Sequence, residues 1–399
     1  MVLHTRAGRE AGKLCRASRH RERTFSFERD TTVKITRVVV RRVAVSPRGG
    51  WLFVQAHTDE GLIGLGEASQ GGDDALVAEL IEQRLAPALA GSDPLAIGPF
   101  FQRFAALGAS RPGATALSGV EQALWDLAGQ AAGRSIAQLL GGTLRPRIWV
   151  YANINRSTWD RSPAGFAANA RRAVADGFRA VKLAAFDDVP RRLDSPEAFA
   201  TIRLGIDRVL AVREAVGREV EVLLDCHSHF TAAWAIRVAR ELEPARLFWI
   251  EDPVPRPDLE GLARVRAAIE QPVATGETLF GRRPFWELLV RQACDVVMPD
   301  VKHCGGIGEL MRIGALCEPA HVQMAPHNPS GPVALAASSQ VAAVLPNFMI
   351  LEYAYGEVGW RPSLVTPPER FVDGFYEVPA APGLGVRLDE AAIEAHTAP

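Results

Sequence analysis

Three stretches decide the reading of this chain: Val222-Leu223-Leu224-Asp225, Phe248-Trp249-Ile250-Glu251 and Val273-Ala274-Thr275-Gly276-Glu277. Each is a short apolar run closed by a carboxylate, and the interval from Asp225 to Glu251 equals that from Glu251 to Glu277, 26 residues. A strand with its return helix takes about 25 to 30 residues in a βα barrel. Even spacing therefore predicts all three carboxylates at one height on successive parallel strands, converging on one point. Like charges brought that close repel unless a cation neutralises them, and an all-oxygen set suits Mg²⁺ better than Zn²⁺. The chain reads as a divalent-metal enzyme with one Mg²⁺ per site.

Outward from these stretches, short β-branched or apolar runs alternate with amphipathic helices from Ile148 onward, the pattern of a parallel sheet built from βα units. Eight strands are expected, ending near Asn153, Leu183, Asp225, Glu251, Gly276, Met298, Ala325 and Glu352, with helices such as Pro163 to Asp176 and Leu259 to Ile269 between them. Residues 146–352 thus form a (β/α)₈-type barrel, whose active site belongs at the carboxyl ends of its strands. Residues 33–145 read as an α+β domain. Val38-Val39-Val40-Arg41-Arg42-Val43-Ala44-Val45 and Trp51 to His57 flank the turn Ser46-Pro47-Arg48-Gly49-Gly50 as a hairpin, and helical spacing runs over Ala75 to Leu89 and Ser118 to Leu140. The Pro- and Gly-rich segment 353–399 is expected to return to this domain.

The 399 residues, 48% hydrophobic, suffice for one barrel and one smaller domain. A net charge of −1 and a pI near 6.8 give no reason to expect nucleic acid or membrane as partner. Five cysteines, odd in number and without a CxxC pair, argue for a reducing cytoplasm rather than a disulfide framework or zinc site. Residues 1–32 carry scattered Arg and Lys with few apolar neighbours and read as a disordered basic extension.

At the expected strand ends stand Lys182, Asp225, His227, Glu251, Glu277, Asp300, His327 and Glu352. Asp300 and His327 follow consecutive strands, so the carboxylate can hold one imidazole nitrogen and leave the other facing the cavity as an oriented base. His227 lies two residues beyond Asp225, and strand alternation predicts both on one side. Two imidazoles across a cavity can remove one proton and donate another. Cys226, between them, is expected in barrel packing, His229 in a loop, and His303 in a structural turn.

Asp225, Glu251 in Ile-Glu-Asp-Pro, Glu277 in Thr-Gly-Glu-Thr, Asp300 in Pro-Asp, and Ala-Pro-His327-Asn-Pro-Ser-Gly-Pro together resemble the enolase superfamily, in its mandelate racemase and muconate lactonizing enzyme family. Gly-Leu-Gly-Glu-Ala and Ala-Leu-Trp-Asp-Leu-Ala-Gly in the first domain extend the resemblance over nearly the whole chain after residue 33. It implies a capping domain over a modified barrel, an essential Mg²⁺, abstraction of the proton α to a carboxylate, and a homo-oligomer. The Asp225-Cys226-His227 detail is similar to galactonate-dehydratase-type acid-sugar dehydratases. The Lys-x-Lys pair of the racemases is not matched, since Lys182 is followed by Leu183 and Ala184. The resemblance thus implies His327 as base, oriented by Asp300, His227 as the acid that protonates a departing β-hydroxyl, and a 2-keto-3-deoxy acid as product. It implies further that Lys182 lends charge near the substrate carboxylate, or pairs with a metal carboxylate, and that Glu352 bonds the enolate or a hydroxyl. The expected substrate is an aldonate or an aldarate; Arg48 either meets the distal carboxylate of an aldarate or is a solvated turn charge, the commoner fate of an Arg beside Gly-Gly. A racemase, epimerase or cycloisomerase on the same metal site is the alternative, as is a catalytically silent relative.

Overall fold

The computed structural model describes residues 33–46 and 49–397. The expected basic extension 1–32, with Cys15, and the turn residue Arg48 lie outside the described residues. Strands β1 (Ile35–Ser46), β2 (Gly49–Thr58) and β3 (Ile63–Glu67) form an antiparallel sheet in that order. Helices α1 (Asp74–Leu80), α2 (Ala86–Leu89), α3 (Ile97–Phe104), α4 (Arg111–Ala132) and α5 (Ile136–Leu139) follow. The one helix expected over Ala75 to Leu89 is broken by a π-helical turn at Ile81–Leu85. The helix expected from Ser118 begins earlier, because Ser110 accepts a hydrogen bond from Gly113 N and Pro112 sits in the first turn. It also ends sooner, at Gly133, whose φ of 61° only glycine adopts without cost.

Eight parallel strands then alternate with seven helices. They are β4 (Arg147–Asn153), β5 (Ala180–Leu183), β6 (Glu221–Asp225), β7 (Trp249–Glu251), β8 (Val273–Thr275), β9 (Val296–Val297), β10 (Gln323–Met324) and β11 (Leu351–Ala354). Between them run α6 (Pro163–Ala175), α7 (Pro196–Val216), α8 (Ala232–Glu241), α9 (Leu259–Ala268), α10 (Arg282–Val290), α11 (Ile307–Cys317) and α12 (Pro332–Ala342). Ser162, Ser195, Thr231 and Asp258 each accept a bond from the third backbone N–H beyond them, so local side chains start these helices. The barrel closes where β11 pairs with β4 and Met324 bridges Phe348. Between β11 and the tail helix near the end of the chain, the described residues hold only a 3₁₀ turn at Arg361–Ser363 and short strands, so no return helix directly follows β11 and the barrel is modified as expected.

Strand alternation divides the core. Tyr151, Leu223, Trp249, Met298 and Ile350 fill the barrel interior. Val150, Val181, Val222, Leu224 and Ile250 point outward with apolar residues of the helices. The interior plug, with the Tyr151 and Trp249 rings edge to face at 5.6 Å, forms the floor beneath the strand ends.

Buried carboxylates of the first domain dock it onto the barrel. Glu67 accepts from Gly331 N at 2.7 Å and Ala334 N at 2.9 Å at the start of α12. Glu121 accepts from Ile307 N at 2.7 Å and Gly308 N at 2.9 Å at the start of α11. Each supplies acceptors to N–H groups that a helix leaves unsatisfied, at its positive end. The tail returns to this domain as expected. Helix α13 (Glu390–Ala395) bonds Gln55 Nε2 through Glu390 Oε1 at 2.8 Å, Ala44 N reaches His396 O at 2.9 Å, and Trp360 stacks on His396 at 3.9 Å. A strand the sequence did not suggest, Phe375–Glu377, pairs antiparallel with β4. Among the described residues no helix is long and apolar enough to cross a membrane.

Candidate active site

Register sets the first two carboxylates. Asp225 on β6 lies directly opposite Glu251 on β7, both on the inward face above Leu223 and Trp249. The third arrives differently from the expectation of equal height. Ala274, not Glu277, is level with Glu251, and β8 ends at Thr275. The chain turns at Gly276, φ 118°, and the turn returns Glu277 to the cluster. A Cβ at Gly276 would stand 2.8 Å from Phe285 Cε1. One ligand oxygen from each of Asp225, Glu251 and Glu277 lies within 4.8 Å of the others.

Each carboxylate of the cluster has a cationic neighbour. Lys182, 2% exposed, donates to both oxygens of Glu251 at 3.1 Å and stands 3.2 Å from Glu352 Oε1. Of the two roles expected for it, the side chain is engaged in the ion pair. His227 Nε2 is 3.0 Å from Asp225 Oδ2, and Glu277 meets both Arg256 and His327. Burial, then the charge of Asp225, holds the Glu251 carboxyl well above its usual range. Burial acts the same way on Glu277, but His327 and Arg256 outweigh it and hold that carboxyl well below. Three hard oxygen donors without a thiolate fit a divalent cation of the Mg²⁺ type.

On one side of the cluster His327 Nδ1 lies 2.8 Å from Asp300 Oδ2 and Nε2 lies 2.9 Å from Glu277 Oε2. Burial disfavours the imidazolium, but Glu277, Glu352 and the Asp300 hydrogen bond push its pKa up to about 10. Asp300, fully buried, also accepts from Lys302 Nζ at 2.6 Å, which keeps it ionised despite burial. On the other side His227 Nδ1 meets Asp187 Oδ1 at 2.5 Å. With Asp225 at its second nitrogen, its pKa is pushed up to about 11, against the effect of burial. Strand alternation is not what directs His227 here. Beyond Asp225 the backbone turns left-handed, with φ of 45° at His227 and 59° at Ser228, and His227 N is tied to Asp225 Oδ1 at 2.9 Å. Such conformations cost about 1–3 kcal/mol and persist where the surroundings enforce them.

Glu352, fully buried, accepts from Asn153 Nδ2 at 2.5 Å and Asn328 N at 3.0 Å. Cys226 is buried in the outward apolar layer and its thiol is pushed up by burial. His229 sits in the turn beyond β6. His303 is buried between Thr115 Oγ1, 2.8 Å from Nδ1, and Arg111 Nη2, 3.4 Å from Nε2. A cavity of about 400 Å³ joins Lys182, Asp187, Asp225, His227, Glu277 and His327 with Asn153, Arg111 and Arg156. Asp187, Asn153, Arg111, Arg156 and Arg256 were not assigned from sequence. Asn153 was available as the polar end of the first strand, and Asp187 as part of the loop after the second. Nothing local marks Arg111, which the first domain carries into the cavity at the start of α4.

Residues 30–141 match the mandelate racemase / muconate lactonizing enzyme N-terminal domain, and residues 165–392 match the enolase C-terminal domain-like family. The chain is similar to a D-xylonate dehydratase of Haloferax volcanii, 36% identical over 87% of this chain and 85% of that protein. It is similar also to a D-galactonate dehydratase of Verminephrobacter eiseniae, 35% identical over 90% of this chain and 94% of that protein. Among solved structures, a mandelate racemase/muconate lactonizing enzyme-like protein from Rubrobacter xylanophilus superposes with a TM-score of 0.85 at 33% identity, covering 92% of this chain and 98% of that one.

Proposed function

The chain belongs to the mandelate racemase / muconate lactonizing enzyme family of the enolase superfamily, and from that premise we propose that it is a hydro-lyase that dehydrates an acid sugar to a 2-keto-3-deoxy acid. The observation that carries the reading is a carboxylate cluster flanked by two imidazoles, His327 beside Glu277 and His227 beside Asp225. Mg²⁺ held by Asp225, Glu251 and Glu277 would bind the substrate carboxylate and offset the negative charge that develops on it as the α carbon loses its proton. Engaged as a ligand, Glu277 would no longer hold His327 as an imidazolium, and His327 Nε2 is then free to take that proton. Asp300 accepts from Nδ1–H and so fixes the tautomer that leaves Nε2 as the base.

His227 donates its proton to the departing β-hydroxyl, and Asp187 orients the ring through the other nitrogen. Lys182 offsets the charge of Glu251 and Glu352 below the reacting carbons, and Glu352, 3.9 Å from His327 Nε2, bonds the enolate or a hydroxyl. Loss of water leaves an enol that relaxes to the keto acid. The cavity, about 400 Å³, suits a sugar acid of five or six carbons. The buried free thiols of Cys226, Cys294, Cys304 and Cys317 accord with a cytoplasmic setting, and the family premise supports a homo-oligomer.

The test is a screen of the purified protein with Mg²⁺ against mono- and diacid sugars in D₂O, read by NMR. Keto-acid formation supports dehydration. Deuterium at the α carbon without keto acid would replace this reading by a racemase or epimerase.

A further inference from the structure

The active-site cavity does not end at His327. It continues into a narrower pocket of about 70 Å³ beneath the first domain, lined by Trp51, Gln70, Arg111, Arg156 and Ser330. Arg111, Arg156 and His327 line both spaces, so a ligand held at the carboxylate cluster extends toward the two arginines.

The chemistry of this far end is that of an anion site. Among the described residues no carboxylate pairs with Arg111; its guanidinium donates to His303 Nε2 at 3.4 Å. His303 faces Thr115 through Nδ1, which assigns Nε2 as the acceptor and Nδ1–H as the donor. Burial, Lys302 and Arg111 keep that imidazole uncharged although Asp300 favours the charge. Arg111 is thus aimed by a neutral acceptor, its positive charge left uncompensated. Arg156 meets Glu357 through one nitrogen at 2.7 Å. The Ser330 hydroxyl, on a residue 1% exposed, has no hydrogen-bond partner, and a buried donor left unpaired is costly. A terminal hydroxymethyl group can bond the serine and accept from a guanidinium, but it leaves the positive charge uncompensated. A carboxylate satisfies the serine and pairs with the guanidinium.

We infer that this pocket is a second carboxylate subsite, so that the substrate is a diacid sugar, an aldarate, held at one end by the carboxylate cluster with its metal and at the other by Arg111, Arg156 and Ser330. The inference rests on the acid-sugar reading and deepens it. The named relatives above are dehydratases of monoacids, so this chain would differ from them in the distal group.

Two inert probes of equal length, adipate and 6-hydroxyhexanoate, separate the possibilities by calorimetry on the Mg²⁺-loaded enzyme. Adipate is expected to bind roughly 10- to 100-fold more tightly, the worth of a charged hydrogen-bonded pair. Arg111→Gln should remove that advantage by weakening adipate far more than 6-hydroxyhexanoate, while Arg111→Lys should recover part of it. Arg111 is exposed at a helix start, and an unchanged melting temperature checks that the variants fold. Equal binding of the two probes by the wild type, or equal weakening of both by Arg111→Gln, overturns the subsite even if an aldonate is dehydrated. Adipate preference that depends on Arg111 sustains the subsite even if every acid sugar fails to lose water, in which case it is the dehydratase reading that falls.

Discussion

At the scale of single residues, the proposed dehydration gives the two histidines separable steps. Substituting His327→Asn removes the proposed base, and both keto-acid formation and α-deuterium exchange are expected to vanish. His227→Asn removes only the proposed acid for the leaving hydroxyl, so dehydration should fall by about 10²–10⁴ while exchange in D₂O persists. Unchanged turnover in His227→Asn would disprove the acid assignment. Lys182 acts on stability as well. Lys182→Met leaves Glu251 and Glu352 buried beside one another without their cation, and urea denaturation in EDTA should register a loss of about 3–5 kcal/mol. Most of this set was legible because a barrel concentrates its polar groups at strand ends. His227 was found for a partly mistaken reason: its side chain is directed by a left-handed turn held by the Asp225 side chain, which alternation does not foresee. Arg111 was not legible, since it reaches the site from a domain whose position depends on the whole fold; Arg256 leaves the same strand end as Glu251, but nothing in its loop sequence says that it turns toward Glu277.

Elements were read best where one residue type announces a boundary. The Ser162-Pro163 pair starts α6 where the sequence places it, and the apolar runs ended within a residue or two of the observed strands. Less legible was Glu277. Equal sequence spacing suggested equal height, whereas Ala274 is the residue level with Glu251 and the Gly276 turn makes up the difference. The join between sheet and barrel was also hidden, because nothing in Gly-Leu-Gly-Glu67-Ala says that this carboxylate caps a helix far along the chain. Glu67→Gln offers the Gly331 and Ala334 N–H groups one acceptor oxygen in place of two. The expected cost is about 1–3 kcal/mol in chemical denaturation, with a raised KM as the first domain loosens over the cavity and a smaller change in kcat.

For the molecule as a whole, cation binding and folding should be linked. The cluster is assembled from three βα units, so the native chain offers a site that the unfolded chain does not, and binding stabilises it by about 2.7 kcal/mol at a hundredfold excess over Kd. Thermal melts with and without Mg²⁺ check this: a concentration-dependent rise in Tm that EDTA reverses and that Glu251→Gln weakens is expected. The tail closes the same structure at its other end. Arg41 on the first strand and Glu390 on the last helix meet although 349 residues separate them. At a synthesis rate of about 5–20 residues per second, roughly 20–70 s pass between the emergence of one and of the other. The domain made first by the ribosome therefore waits for the last stretch to be translated, and during that interval its hairpin is exposed to proteases and to chaperones that hold unfinished chains.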